Sequence, residues 1–218
     1  MRFLNLIFLL CSLCTIAQNK TESVFSLKPS LGVSGCQING DNYGGYNKFG
    51  LFGGLAVNIR LKEKMSLDLG FYFTQKGSRH NSNPEKGDLT FYHVKLNYIE
   101  VPLLFRYELN TTYFATLGPS AAYMAGSKEY NQYGEVTDRP FNKFEAAVHV
   151  GLGRKIKEKF FFEVRLSNSF LPIRNYGLFQ GAVYYPNQAA KIFKPGLYNN
   201  VLTFIVSFKI DNKKKSGD

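Results

Sequence analysis

Three histidines, His80, His93 and His149, are the side chains of this 218-residue sequence best placed by type for acid–base or metal chemistry near neutral pH. His80 and His93 flank a segment that carries Glu85 and Asp88, the makings of a surface acid–base or metal cluster. His149 follows Glu145 by four positions, which on extended backbone puts both on one face. The frames that turn such residues into catalysts are missing. The sequence has no H-E-x-x-H, no G-x-S-x-G and no paired-cysteine motif. "GLGRK" (151–155) has two glycines but no helix pattern after it, so it does not suit a phosphate loop. The expectation is no catalytic residues, no cofactor, no metal and no enzyme.

Cysteine usage and the N-terminus set the compartment. Arg2 precedes an apolar run from Phe3 to Leu13, and Thr15-Ile16-Ala17 forms a small-x-small site. This is the pattern of a secretory signal peptide, residues 1–17, cleaved between Ala17 and Gln18. The run is too short to span a bilayer as a helix, which takes ~20 residues. Cleavage removes Cys11 and Cys14, and Cys36 alone forms no internal disulfide and no metal site. Lys and Arg total 27 against 16 Asp and Glu, but the positive charge is dispersed, so nucleic acid is not an expected partner. The one dense block, Lys213–Lys215, belongs to a solvated basic tail, residues 211–218.

Between leader and tail, hydrophobicity alternates with period two, in a chain rich in Phe (20) and Tyr (14). Apolar faces run through Phe25, Leu27, Leu31 and Val33, then through Phe49, Leu51, Leu55 and Val57. They continue at Met65, Leu67, Leu69 and Phe71, and at Ile99, Val101, Leu103 and Phe105. Further runs span about 113–124, 144–153, 160–170 and 199–210. Eight strands result. Their connections alternate between short ("KEK", "LNTT", "KIKEK") and long (roughly 36–48, 77–93, 126–142 and 171–198). Short periplasmic turns and long external loops are the signature of an all-β, eight-stranded, antiparallel, up-and-down transmembrane β-barrel, here residues 18–210.

In such a barrel the apolar face meets outer-membrane lipid and the opposite face fills the lumen. Lys28, Arg60, Lys76, Arg106 and Arg165 then share the interior with Asp68, Glu100, Glu145, Glu163 and His149, as a structural charge network. Pro102 sits mid-strand, where its missing N–H is a defect. A two-residue turn at Asn110-Thr111 would set Pro102 opposite Pro119, so that both defects coincide.

The residues also resemble a known family. "KLNYIEVPLLFRY" (95–107) with "FATLGPSAAYM" (114–124) looks like the central hairpin of the PorT-like outer-membrane β-barrel family. "SLDLGFYFTQKGSR" (66–79) resembles the strand just before that hairpin, and "KFFFEVRLSNSF" (159–170) resembles strand seven of the family. The resemblance covers about Phe25 to Ile210. It implies a Gram-negative outer-membrane protein inserted by the barrel insertion machinery. One named member of similar architecture assists the type IX secretion system, which leaves secretion open as a role here without implying it. Barrels of this kind end on an aromatic insertion signal, and Phe208, followed by a ten-residue tail, is the candidate.

The function expected is that of a structural, accessory or binding barrel, acting through its external loops on a secretion-system or surface-protein partner. "NGDNYGGYNKFG" (39–50), "GSKEYNQYGEV" (126–136) and "NYGLFQGAVYYPNQ" (175–188) are rich in Tyr, Asn and Gly, a composition suited to recognition. The alternative is a soluble exported β-barrel binding a small ligand, with the apolar faces inside.

Overall fold

The computed structural model describes residues 24–175, 191–192 and 195–211. The leader with its Ala17–Gln18 cleavage site, the loop stretch 176–188 and Lys213–Lys215 lie outside them. Eight strands carry the fold: β1 (Phe25–Asn39), β2 (Lys48–Lys62), β3 (Met65–His80), β4 (Tyr92–Glu108), β5 (Tyr113–Asn131), β6 (Phe144–Lys157), β7 (Phe160–Ser169) and β8 (Gly196–Phe208). Each pairs antiparallel with the next, and β8 returns to β1 from Ser30↔Ser207 to Asn39↔Tyr198, so the sheet closes. Ile210 extends the seam by pairing with Leu27.

The alternation decides which face is which. On β4, Tyr98, Glu100, Pro102, Leu104 and Arg106 point in, while Val101, Leu103, Phe105 and Tyr107 are exposed. On β2, Phe52, Ala56 and Asn58 point in, and Leu51, Leu55 and Val57 are exposed. The apolar residues are therefore outside and the charges inside. That arrangement suits lipid and is the reverse of a soluble ligand-binding barrel, so the soluble alternative is set aside.

Three details depart from the sequence reading. The strands run beyond the apolar alternation, so the first three external loops shrink to 40–47, 81–91 and 132–143. Pairs such as His80↔Tyr92 and Tyr92↔Asn131 continue the ladder where polar side chains such as Lys95 and Lys128 line it. Backbone pairing there no longer needs a lipid-facing residue at every second position. The interior, second, is not uniformly polar. Val94, Leu96, Tyr98, Met124, Phe141, Ile173 and Leu197 pack into an apolar cluster toward the loop end.

The third concerns the prolines. Pro102 pairs with Ser120 and Pro119 with Val148, one residue away from the expected register. The cause is the β4–β5 turn. Asn110 Oδ1 accepts from the amides of Thr112 and Tyr113, both at 2.8 Å, and the closing pair becomes Glu108↔Phe114. A one-residue shift flips the face. Pro102 keeps to the lumen face with Glu100 and Leu104, whereas the shift leaves Pro119 pointing out, and the two are not ladder partners. Instead the β3–β4 ladder skips Val101–Pro102, and the β4–β5 ladder skips Leu103–Leu104 opposite Gly118–Pro119.

Candidate functional site

The lumen is the place where most of the chemically able side chains meet. Period two turns Lys76 of β3, Glu100 of β4 and Glu145 of β6 inward, and Lys76 Nζ bridges the two carboxylates at 3.2 and 2.9 Å. All three side chains are at most 4% exposed. A lone buried charge would be costly, but here each carboxylate has further donors. Ser120 donates to Glu100 at 2.7 Å and Asn199 to Glu145 at 2.8 Å. Nearer the short turns, Asp68 accepts from Lys28 and Asn58, both at 2.6 Å. Glu163 accepts from Arg165 at 2.8 Å and from Thr116 at 2.7 Å. A Cβ on Gly151 would lie 2.4 Å from Thr116 Oγ1 and 2.6 Å from Glu163 Oε1, so glycine there makes room for that pair.

Of the ten residues expected to share the lumen, nine are buried and Arg60 is not. Arg60 is exposed because it stands near the end of β2, where the barrel opens. Arg106 is buried in a different way from the rest. Its guanidinium lies 3.5 Å from the Phe114 ring centre and 4.6 Å from that of Phe161. Sequence reasoning placed Asn58 on the inner face but passed over Ser120, Thr116, Asn199 and these two rings. Alternation alone could have placed Ser120 and Thr116 on the inner face.

His149 meets Ser120 Oγ at 2.8 Å and Glu100 Oε1 at 3.2 Å. A Ser–His–Glu set invites comparison with a hydrolase triad. In a triad the acid holds one ring nitrogen and the nucleophile the other. Here both contacts fall on Nε2, and Ser120 donates its proton to Glu100, so nothing activates the hydroxyl. The free space beside Glu100, His149 and Arg165 is about 10 Å3, at the lower limit for one water and far below any substrate.

The two mouths differ. At the loop end, Arg174 pairs with Glu129 and stacks 3.7 Å over Phe141, and Tyr92 donates to Glu129 at 3.1 Å. Nothing in the alternation marks Glu129 or Arg174, which lie outside the lipid-facing pattern. His80 bonds Asp88 at 2.7 Å, and Tyr43 stacks between His80 and Tyr92 at 4.5 and 5.0 Å. The hydroxyl and amide of Thr90, with His80, hold the Asp88 carboxyl down at about 2. Glu85 is exposed and joins no cluster; among the described residues no three His, Cys, Asp or Glu side chains are grouped to hold a metal. At the short-turn end a cavity of about 880 Å3 opens, with Arg106, Lys28 and Asn58 toward its interior.

No curated protein matches the chain. Among solved structures, Ail, the attachment invasion locus protein of Yersinia pestis in complex with the heparin analogue sucrose octasulfate, aligns at a TM-score of 0.48 with 11% identity, over 86% of this chain and 100% of that one. Neisserial surface protein A aligns at 0.48 with 9% identity, over 86% and 98%. CarO of Acinetobacter baumannii aligns at 0.43 with 12% identity, over 88% and 99%. A family model described as outer membrane protein beta-barrel domain matches residues 16–175, a stretch that holds β1 to β7 and with them all ten of the expected lumen residues. With well over half its length matched, and with a closed barrel that turns charge inward and hydrocarbon outward, the chain belongs to the outer membrane protein beta-barrel domain family.

Proposed function

We propose that this protein is a sealed outer-membrane barrel that conducts nothing and works through its loop end, as an accessory or binding partner of other envelope or surface proteins. The filled lumen carries this reading. The Lys76–Glu100–Glu145 bridge crosses the interior, and the apolar cluster around Tyr98, Met124 and Leu197 lies beyond it. An ion would have to break both. The test is reconstitution into planar bilayers under voltage. No discrete conductance steps are expected, and reproducible steps carried by the folded barrel would sink the proposal.

The loop end has the side chains for recognition. Tyr133 is 89% exposed and Leu89 73% exposed, on two different external loops. Tyr43, by contrast, is used internally in the stack with His80 and Tyr92. The PorT-like character of 95–107 and 114–124 makes a secretion-system component one candidate partner beside other surface proteins. Crosslinking from position 133 in intact cells, followed by purification of the barrel, decides it. A secretion component captured by wild type and lost from a Tyr133→Ala variant supports the link, and capture of none removes it.

A further inference from the structure

We propose that the short-turn mouth of the barrel is a binding site for a phosphate-bearing anion, with Arg106 as its floor. The proposal uses the barrel fold alone and does not rest on the role assigned to the loops.

Arg106 projects from β4 into the barrel and is 3% exposed. Phe114 and Phe161 cover its guanidinium, 3.5 and 4.6 Å away. Aromatic stacking engages the flat face of a guanidinium and leaves the N–H groups at its edge in need of acceptors. The nearby carboxylates are already engaged. Asp68 is held by Lys28 and Asn58, Glu163 by Arg165 and Thr116, and Glu108 by Lys155 at 2.6 Å. Among the described residues Arg106 has no hydrogen-bond or ion-pair partner. The Arg106 nitrogens are not among the sealed, unpartnered polar atoms of the described residues, so its N–H groups are left to face the cavity.

The space beside Arg106 is ready for an acceptor. The cavity of about 880 Å3 that Arg106 lines opens at the short turns, the end that faces the periplasm in barrels of this kind. Seven cationic side chains line it against three carboxylates; Lys28 and Lys155 are paired with Asp68 and Glu108, and Lys62 and Lys64 at the β2–β3 turn stand at the rim. Glycine builds part of the wall. A Cβ on Gly153 would fall 2.0 Å from Phe114 Cζ, so a larger residue would push away the ring that holds Arg106.

A planar guanidinium matches the paired oxygens of a phosphate or carboxylate. The excess of positive charge selects a ligand with more than one negative charge, and the buried floor selects a compact group that can reach it. Phosphate meets both conditions. A free phosphate compound and the headgroup of a phospholipid share this chemistry, and the experiment separates them.

The full chain, folded in a non-ionic detergent, is titrated with sodium pyrophosphate by calorimetry. In a second arm it is titrated with short-chain phosphatidic acid in mixed micelles, against phosphatidylcholine as control. The faster gel migration of unboiled protein confirms that each variant has folded. Saturable binding in the first arm assigns a soluble phosphate compound, and binding in the second arm alone assigns a lipid headgroup. Arg106→Gln should weaken either by roughly 10- to 100-fold, the scale of a charge-assisted hydrogen bond. If Arg106→Gln does not fold, the exposed rim pair Lys62→Gln/Lys64→Gln decides, with an affinity loss of several-fold expected. Lys95→Gln/Lys128→Gln, which removes two charges at the opposite end, should change nothing. No binding in either arm overturns the proposal. So does an equal loss in the opposite-end variant, or binding of an oligo-aspartate peptide in place of both phosphates.

Discussion

At the scale of the residue, Lys76 does the most for the interior. It is 1% exposed and bridges two carboxylates on different strands, while its ammonium lies 5.2 Å from the centre of the Tyr98 ring. The attraction matters less than what would remain without it. Lys76→Met strips the shared cation from Glu100 and Glu145 and leaves two buried like charges with neutral donors only. The expected cost is about 3–5 kcal/mol, the range for removing one partner of a buried ion pair. Glu145→Gln keeps an acceptor for Asn199 and leaves Lys76 its pair with Glu100, so its cost is expected at about 1–3 kcal/mol. Urea unfolding of the barrel in lipid vesicles gives both numbers. A Lys76→Met barrel within about 1 kcal/mol of wild type would show that trapped water, and not the lysine, compensates the carboxylates.

At the scale of the element, β4 and β5 show how a turn sets what its strands can do. Asn110 adds a residue to the turn by capping two amides, and that single addition decides that Ser120 stands opposite Pro102 and that Pro119 faces out. The consequence is testable with paired cysteines. Val101 and Ala121 are register partners and both are exposed on the outer face. The double variant Val101→Cys/Ala121→Cys is expected to oxidise readily, seen as a mobility change that a reductant reverses. Val101→Cys/Ser120→Cys, which the two-residue turn would have paired, is expected to stay reduced, because Ser120 points inward. The opposite result would restore the other register. The same hairpin marks the limit of legibility. Alternation correctly assigned the faces of Glu100 and Arg106, since it depends only on the backbone period and on what each face meets. Register depends on a side-chain cap at the turn, and alternation carries no trace of it. The strand ends were illegible for a related reason. Above the bilayer Lys95 and Lys128 still pair as ladder partners, yet water in place of lipid on the outer face, with Val94 and Leu96 packed inside, removes the apolar-out pattern. Arg60 looked like its inward neighbour Asn58 because alternation has no sense of where a barrel stops.

At the scale of the whole molecule, the outer surface has a measurable height. Tyr113 and Tyr123 both point outward on β5, near the short-turn and loop ends of its lipid-facing part. They stand ten positions apart, roughly 33 Å along a strand and about 25 Å along the axis at a tilt of about 40°. That matches the apolar band of an outer-membrane barrel with an aromatic girdle on each side. Phe160 and Phe208 lie with Tyr113 at the short-turn end, 4.9 Å apart, while Phe49 and Phe144 lie at the other. Between the girdles Leu55 occupies the middle of β2, half exposed, with Pro29 and Phe71 beside it. An arginine at position 55 would sit near the centre of the hydrocarbon, whereas one at position 61, also exposed, would reach the headgroups from the strand end. The expected cost is about 2–4 kcal/mol for Leu55→Arg and about 0–1 kcal/mol for Leu61→Arg, read from reversible folding into vesicles. The depth dependence is the decisive part, because an arginine on the exterior of a water-soluble barrel has no depth to sense. Equal, small costs at both positions would mean that the exposed leucines face something other than a bilayer. A steep difference ties the lipid-facing surface to the same band whose inner side holds Lys76 and its carboxylates, so that one strand period serves both solvents.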